Sequence, residues 1–304
     1  MSFKLSILGC SSALPTSKRF STAQVINMLE RFFLIDCGEG TQIQMRKFKI
    51  PFGKINNIFI SHLHGDHFFG LLGLISTFNL LNRESDLNIF CPADLENILN
   101  CQFNYFENNL NFKIIYHPLN FNIPEIIYED NNLTVKSFPL RHKIPTCGFL
   151  FEEKQKPRNI IKEKIQHLNI PIKDIVKIKQ GEDFVANNGE IYKNEDLTFP
   201  PSKPRSYAYC SDTAYYEDVI PVIKNVDLLY HEATFMNDMI ERAKQTLHST
   251  SVDAAKIAKK ADVKQLIIGH FSARYKNIEP LLNEAKEIFP NTIAADDGML
   301  VSVK

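Results

Sequence analysis

Short apolar runs alternate with amphipathic stretches along most of this chain. In the first half, from Phe3 to about Phe151, runs at 4–8, 23–28, 31–35, 55–61, 88–91, 112–116 and 133–139 are rich in β-branched and aromatic residues. Such runs predict strands. Stretches over 41–48, 68–81 and near 93–102 predict helices. The pattern resumes at 206, with strands expected at 206–210, 228–231, 265–269 and 300–303 and helices near 219–223, 252–260 and 278–289. Strands interleaved with helices imply an α/β architecture. No repeat of fixed period and no low-complexity tract interrupts the pattern.

The segment 152–205 breaks it. From Lys154 to Lys179, eight basic residues (Lys154, Lys156, Arg158, Lys162, Lys164, Lys173, Lys177, Lys179) face only Glu163 and Asp174, and 181–196 then turns acidic. The two halves around it read as one core, so the segment is an excursion. It is either a solvated insertion or a basic arm that grips a polyanion.

With 304 residues, 44% of them hydrophobic, one large domain or two smaller ones are available. Lys+Arg and Asp+Glu balance at 35 each, so any polyanion contact must be local. The chain enters a strand at once, without signal-peptide architecture. Its longest apolar stretch, 68–81, is too short to span a bilayer. Six scattered cysteines without a CxxC pair fit a reducing cytoplasm.

Chemistry concentrates in Ser61-His62-Leu63-His64-Gly65-Asp66-His67. Imidazole and carboxylate are ligands of divalent metals such as zinc. His62 and His64 project the same way if the strand geometry continues, and Asp66 and His67 fall in the first turn of the following helix. One motif can thus serve two adjacent ions. Gly65 is expected to permit the tight turn between ligands. His142, Asp212, His231 and His270 each follow an apolar run, where a strand would leave the core. His117 and His167 stand outside these motifs and read as structural.

The order Asp36-Cys37-Gly38-Glu39-Gly40-Thr41, HxHGDH, His142, Asp212, His270 resembles the metallo-β-lactamase superfamily. The motifs His231-Glu232-Ala233-Thr234, His248-Ser249-Thr250 and His270-Phe271-Ser272-Ala273-Arg274-Tyr275 narrow the resemblance to the ribonuclease Z family, short-form tRNA 3′-processing endonucleases. It covers nearly the whole chain. It implies an α/β fold, the αβ/βα four-layer sandwich, as a single catalytic domain over 1–304 with 152–205 as an inserted basic arm. His62, His64 and His142 would hold a first zinc. Asp66, His67 and His270 would hold a second, and Asp212 would bridge them; manganese is an alternative to the two Zn2+. Asp36 and His231 would stand behind the ligands, and Asp36 also reads as an N-cap for helix 41–48.

The same resemblance implies chemistry. Two metals supply hydroxide from a bridging water near neutral pH. Asp66 would accept the water's proton. The departing ribose 3′-oxygen needs a proton donor, which His248 fits, oriented and charged by Glu232. Lys154, Lys156, Arg158, Lys162, Lys164, Ser249, Thr250 and Arg274 would bind substrate. The implied activity is a zinc-dependent endoribonuclease that removes the 3′ trailer of precursor tRNA, leaving a 3′-hydroxyl on the tRNA and a 5′-phosphate on the trailer. The enzyme would be a cytoplasmic homodimer whose arm clamps the tRNA. The competing expectation is a phosphodiesterase or arylsulfatase of the same fold acting on small esters.

Overall fold

Buried and exposed residues alternate at the start of β1 (Phe3–Gly9), where Phe3, Leu5 and Ile7 point inward and Lys4 outward. The chain continues through β2 (Ala23–Met28), β3 (Arg31–Ile35), β4 (Ile55–Phe59), β5 (Leu87–Cys91), β6 (Ile114–Pro118), β7 (Glu125–Glu129), β8 (Leu133–Pro139) and β9 (Cys147–Glu153). Four two-residue strands follow: β10 (Asn159–Ile160), β11 (Phe184–Val185), β12 (Ile191–Tyr192) and β13 (Thr198–Phe199). The last are β14 (Ser206–Cys210), β15 (Leu228–Glu232), β16 (Gln265–Gly269), β17 (Thr292–Ala294) and β18 (Leu300–Ser302). This computed structural model describes residues 2–14, 16–106 and 110–304. They form two compact units.

The first unit comprises Met1–Tyr128, Val135–Phe151 and Arg205–Lys304. One sheet has the order β18-β1-β2-β3-β4-β5-β6, the other β17-β16-β15-β14-β9-β8-β7. Strands β3 to β6 run parallel, as do β14 to β17. Between the sheets lie aromatic rings: Phe59 meets Phe149 at 5.5 Å and Phe33 meets Phe151 at 5.6 Å between centroids. Tilted and edge-on pairs of this kind add to plain apolar burial. Outside the first sheet, Met45 of helix Thr41–Lys47 and Leu71, Leu74, Ile75 and Phe78 of helix Leu71–Leu80 join Leu8, Val25 and Leu34 in one core cluster. Helix Ser251–Lys260 packs on β15 and β16 through buried Ala254, Ala255 and Ala258. The result is the expected helix–sheet–sheet–helix sandwich.

Local departures from the expected pattern have physical causes. The helix expected over 68–81 is two pieces, Gly65–Phe68 and Leu71–Leu80. The Gly70 amide donates to the Cys37 carbonyl instead of to its own helix, and a β-carbon there would sit 2.1 Å from the Gly38 carbonyl oxygen. The helix expected near 219–223 is only a 3-10 turn, Glu217–Val219, because Pro221 cannot continue it. Strand β9 was not expected. Its residues are buried almost throughout, so it carries no alternation to read.

The second unit comprises Glu129–Thr134 and Glu152–Pro204. It has its own core of Ile165, Ile170, Ile178, Phe184 and Leu197. Helix Ile172–Gln180 ends at Gly181 in the left-handed region (φ 108), and the amides of Gly181 and Glu182 close on Ile178 and Lys177 carbonyls. The Asn194 side-chain amide donates to the carbonyls of Ile178 and Glu182 and so ties the helix end to the following loop. Lys162, Lys164, Lys173, Lys177 and Lys179 are exposed. Lys154 pairs with Glu129, Lys156 with Glu153, and Arg158 donates to Thr198.

Candidate metal centre

The histidine-rich motif leaves the end of β4, and the other site residues leave β8, β14 and β16 within a few residues of each strand's end. Carboxyl ends of parallel strands are where open α/β sheets present ligands. Two donor sets result. The first is His62, His64, His142 and Asp212; the second is Asp66, His67 and His270. In the first, His62 Nε2 lies 3.1 Å from His64 Nδ1, His142 Nε2 lies 3.2 Å from the same atom, and Asp212 Oδ2 is 3.6 Å from His62 Nε2. In the second, His270 Nε2 lies 3.3 Å from Asp66 Oδ2, and Asp212 Oδ1 is 3.3 Å from His67 Nε2 and 3.2 Å from His270 Nε2. Asp212 thus turns one oxygen to each set.

Donors on a tetrahedron with bonds of about 2.0–2.1 Å stand about 3.3 Å apart, which these spacings match. Two further observations fit a cation. His67 Nε2 and Asp212 Oδ1 are buried and make no hydrogen bond. Buried polar atoms without partners are costly, and a shared positive ion removes the cost. Burial and the charge of His67 push His62 down to about 4, so its imidazole is neutral and its lone pair free. Burial works against ionised Asp66, but the charge of His67 and the hydrogen bond from His270 outweigh it and keep it a carboxylate. Burial likewise opposes a charged His67, yet Asp212, Asp66 and Asp36 lift it well above its ordinary value.

The groups behind the donors fix their tautomers. Asp36 Oδ2 accepts from His67 Nδ1 at 2.7 Å and from the Tyr209 hydroxyl at 2.7 Å, while Asp36 Oδ1 accepts the Ser61 amide at 2.8 Å. His142 Nδ1 donates to the Leu247 carbonyl at 2.8 Å. His270 Nδ1 meets the Thr234 hydroxyl at 2.9 Å, and that hydroxyl donates to Glu232 Oε2 at 2.7 Å. Glu232 Oε1 holds His248 Nδ1 at 2.7 Å and also accepts the Thr213 amide. One carboxylate therefore anchors both His248 and, through Thr234, the donor His270. Burial disfavours protonated His248, but the charge and hydrogen bond of Glu232, with Asp212 and Asp66, raise it to about 9. Asp36, Leu247 and His270 all have left-handed backbones (φ 53, 55 and 59). Such conformations cost non-glycine residues on the order of 1 kcal/mol each and cluster at functional sites.

The structure corrects four expectations. Asp36 does not cap helix Thr41–Lys47; Gly40 occupies that position with φ 82 and no side-chain cap. His231 is not behind a ligand: it bonds the Glu232 carbonyl, because alternation along β15 sends it away from the face that carries Glu232. Ser249 and Thr250 are buried and already engaged. Ser249 donates to the Thr213 carbonyl, and Thr250 forms a capping box with Asp253, so neither hydroxyl is offered to a substrate. Gly65 has no positive φ; its bare α-carbon instead leaves room for the Phe69 ring.

A cavity of about 680 Å³ opens over the donors, lined by His64, Asp66, His142, Asp212, His248 and His270. Lys143, Arg242 and Arg274 line it too. Arg274 Nε donates to the Ser272 hydroxyl and its guanidinium lies over Phe235 at 5.1 Å. Tyr209, Thr234, Lys143 and Arg242 were not singled out from sequence. Lys143 adjoins a donor and Thr234 closes a motif, but Arg242 lies on helix Ile240–Thr246, which the apolar pattern does not announce.

Two His/Asp donor sets at the strand ends of a sheet-on-sheet sandwich define a metal-dependent hydrolase of the metallo-β-lactamase fold. A family model described as anti-Pycsar protein Apyc1 matches residues 3–156. Ribonuclease Z of Bacteroides thetaiotaomicron is 50% identical over 301 residues, 99% of this chain and 95% of its own. Ribonuclease Z of Bacteroides fragilis is 48% identical over 99% of both chains. The crystal structure of human tRNase Z, short form, superposes with a TM-score of 0.73 at 26% identity over 99% of both chains. The metallo-β-lactamase fold protein YhfI of Bacillus subtilis gives 0.69 at 19% identity, covering 99% of this chain and all of that one. The chain belongs to the ribonuclease Z family of hydrolytic endoribonucleases.

Proposed function

We propose that the protein is the endoribonuclease that cuts the 3′ trailer from precursor tRNA, leaving a 3′-hydroxyl on the tRNA and a 5′-phosphate on the trailer. The observation that carries this reading is the His248–Glu232 pair beside the two donor sets. A small activated ester leaves without help, whereas a ribose 3′-oxygen needs a proton at the moment it departs. His248, raised to about 9, carries that proton at neutral pH. Its Nδ1 is taken by Glu232, so Nε2 is the atom that donates. Asp66 holds the proton taken from the attacking water. His62, His64 and His142 would hold one ion, Asp66, His67 and His270 the other, with Asp212 between them. Bound there, a pair of divalent ions lowers the pKa of water and neutralises charge building on a phosphodiester. Donor sets dominated by imidazole suit zinc, with manganese the alternative. Protein purified without chelator should then carry close to two equivalents of transition metal by elemental analysis. A reproducible single equivalent in fully active protein would overturn the two-ion reading.

The second unit serves as the arm that grips the tRNA through its exposed lysines. Small phosphodiesters gain nothing from such an arm, so it separates the two activities. The test is cleavage of a precursor tRNA alongside hydrolysis of bis(p-nitrophenyl) phosphate. Changing Lys162, Lys164, Lys173 and Lys177 together to Ala should leave the small ester untouched and weaken precursor binding. The slope of log affinity against log salt should flatten by about 0.7–0.9 for every phosphate that the arm no longer neutralises. An unchanged slope with normal processing would show that the arm does not bind RNA.

The assembly we assign is a homodimer. Ile43, Leu80 and Leu81 are exposed by 58, 78 and 51% and lie together on one helix and at the end of its neighbour, a surface suited to a second copy. We place the enzyme in the cytoplasm. All six cysteines are free, and among the described residues no helix is long and apolar enough to cross a membrane.

A further inference from the structure

Phe69 is 66% exposed at the wall of the catalytic cavity, just under one helical turn after Asp66. Its ring is nevertheless held in place. A β-carbon on Gly65 would lie 2.2 Å from it, so the ring rests over the bare glycine. Phe68, itself buried in the core, meets it edge-on with centroids 5.0 Å apart. The cavity that Phe69 lines also carries Lys143, Arg242 and Arg274, none of which has a carboxylate partner among the described residues. A propped, solvent-facing ring beside unpaired cations matches a chain of flat bases joined by phosphates. Every nucleobase has a π face that can stack on such a ring, whatever its sequence.

We infer that Phe69 is a stacking platform for a nucleobase that flanks the scissile phosphate, while the neighbouring cations take the adjoining phosphates. The inference rests on the precursor-tRNA reading above and adds a residue that positions the substrate. Cleavage should be measured on three precursors: intact, and with an abasic residue immediately 5′ or 3′ of the cut. On the intact precursor Phe69→Leu should lower kcat/KM by about fivefold or more, the loss that corresponds to the weakest base–aromatic stack. Phe69→Trp should keep the rate. On whichever abasic precursor lacks the stacked base, the wild-type enzyme should lose the same factor and Phe69→Leu should cost nothing further. Equal losses from Phe69→Leu on all three precursors, or none on any, would overturn the platform and favour a protein contact or a passive ring. A wild-type enzyme that cuts no precursor would instead remove the processing reading beneath it.

Discussion

Asp66→Ala should slow precursor cleavage by at least about 10²-fold while the precursor still binds. The carboxylate is kept ionised by its histidine neighbours, and Oδ2 stands 3.3 Å from His270 Nε2 and 3.5 Å from His67 Nε2. It also lines the open cavity. Removal takes away a donor of the second set and the group placed to accept a proton from water. On the proposed reading RNA is gripped by cations elsewhere, so binding and chemistry should separate. Single-turnover cleavage measured beside filter binding checks this. Activity within a few-fold of wild type would show that another residue takes the proton.

His248→Ala should slow precursor cleavage by about 10²-fold or more and hydrolysis of bis(p-nitrophenyl) phosphate much less. Nitrophenolate is a weak base and departs without a proton; the ribose oxygen does not. Equal losses on both substrates would make His248 a phosphate ligand or a support for the donors. Its partner gives the sign of the pH dependence. A proton donor fails as pH rises through its pKa, and Glu232 is what lifts that pKa to about 9. Glu232→Gln removes the charge but keeps the shape, so the alkaline limb of the kcat profile should move to lower pH. Glu232→Ala is the harsher change, because Thr234 and hence His270 lose their anchor. The double variant of His248 and Glu232 should be little worse on precursor than the worse single one. A limb that stays put in Glu232→Gln would exclude Glu232 from control of the proton.

How far the site could be read from sequence follows from where its residues stand. His142, Asp212 and His270 each follow a run apolar enough to be a buried strand, and for Asp212 and His270 the strands belong to the parallel run β14 to β17, whose ends share one edge. Ser249 and Thr250 misled because a helix start rich in amides and hydroxyls suits an anion. The Thr250-Ser251-Val252-Asp253 spacing already spelled a cap, and its hydroxyl was spoken for. His231 misled because it opens a motif, although one step along a strand reverses the facing side. The Thr234 link between Glu232 and His270 was not legible at all. The Thr234 hydroxyl reaches His270 across 36 positions, and no local pattern records that. In the arm, charge drew attention from Ile165, Ile170 and Ile178, which give the second unit a core of its own.

The donors of the second set come from far apart in the chain: Asp66 and His270 meet across 204 positions. A ribosome must therefore make almost all of the protein before the site can exist. His62, His64, Asp66 and His67 emerge early, as a short histidine cluster without the partners that would close around an ion. Fragments that end before His270 should be inert as nucleases, however well their first sheet folds. The cell is thus spared a half-made RNA hydrolase next to its own translating RNA, and the order of synthesis acts as a safety catch.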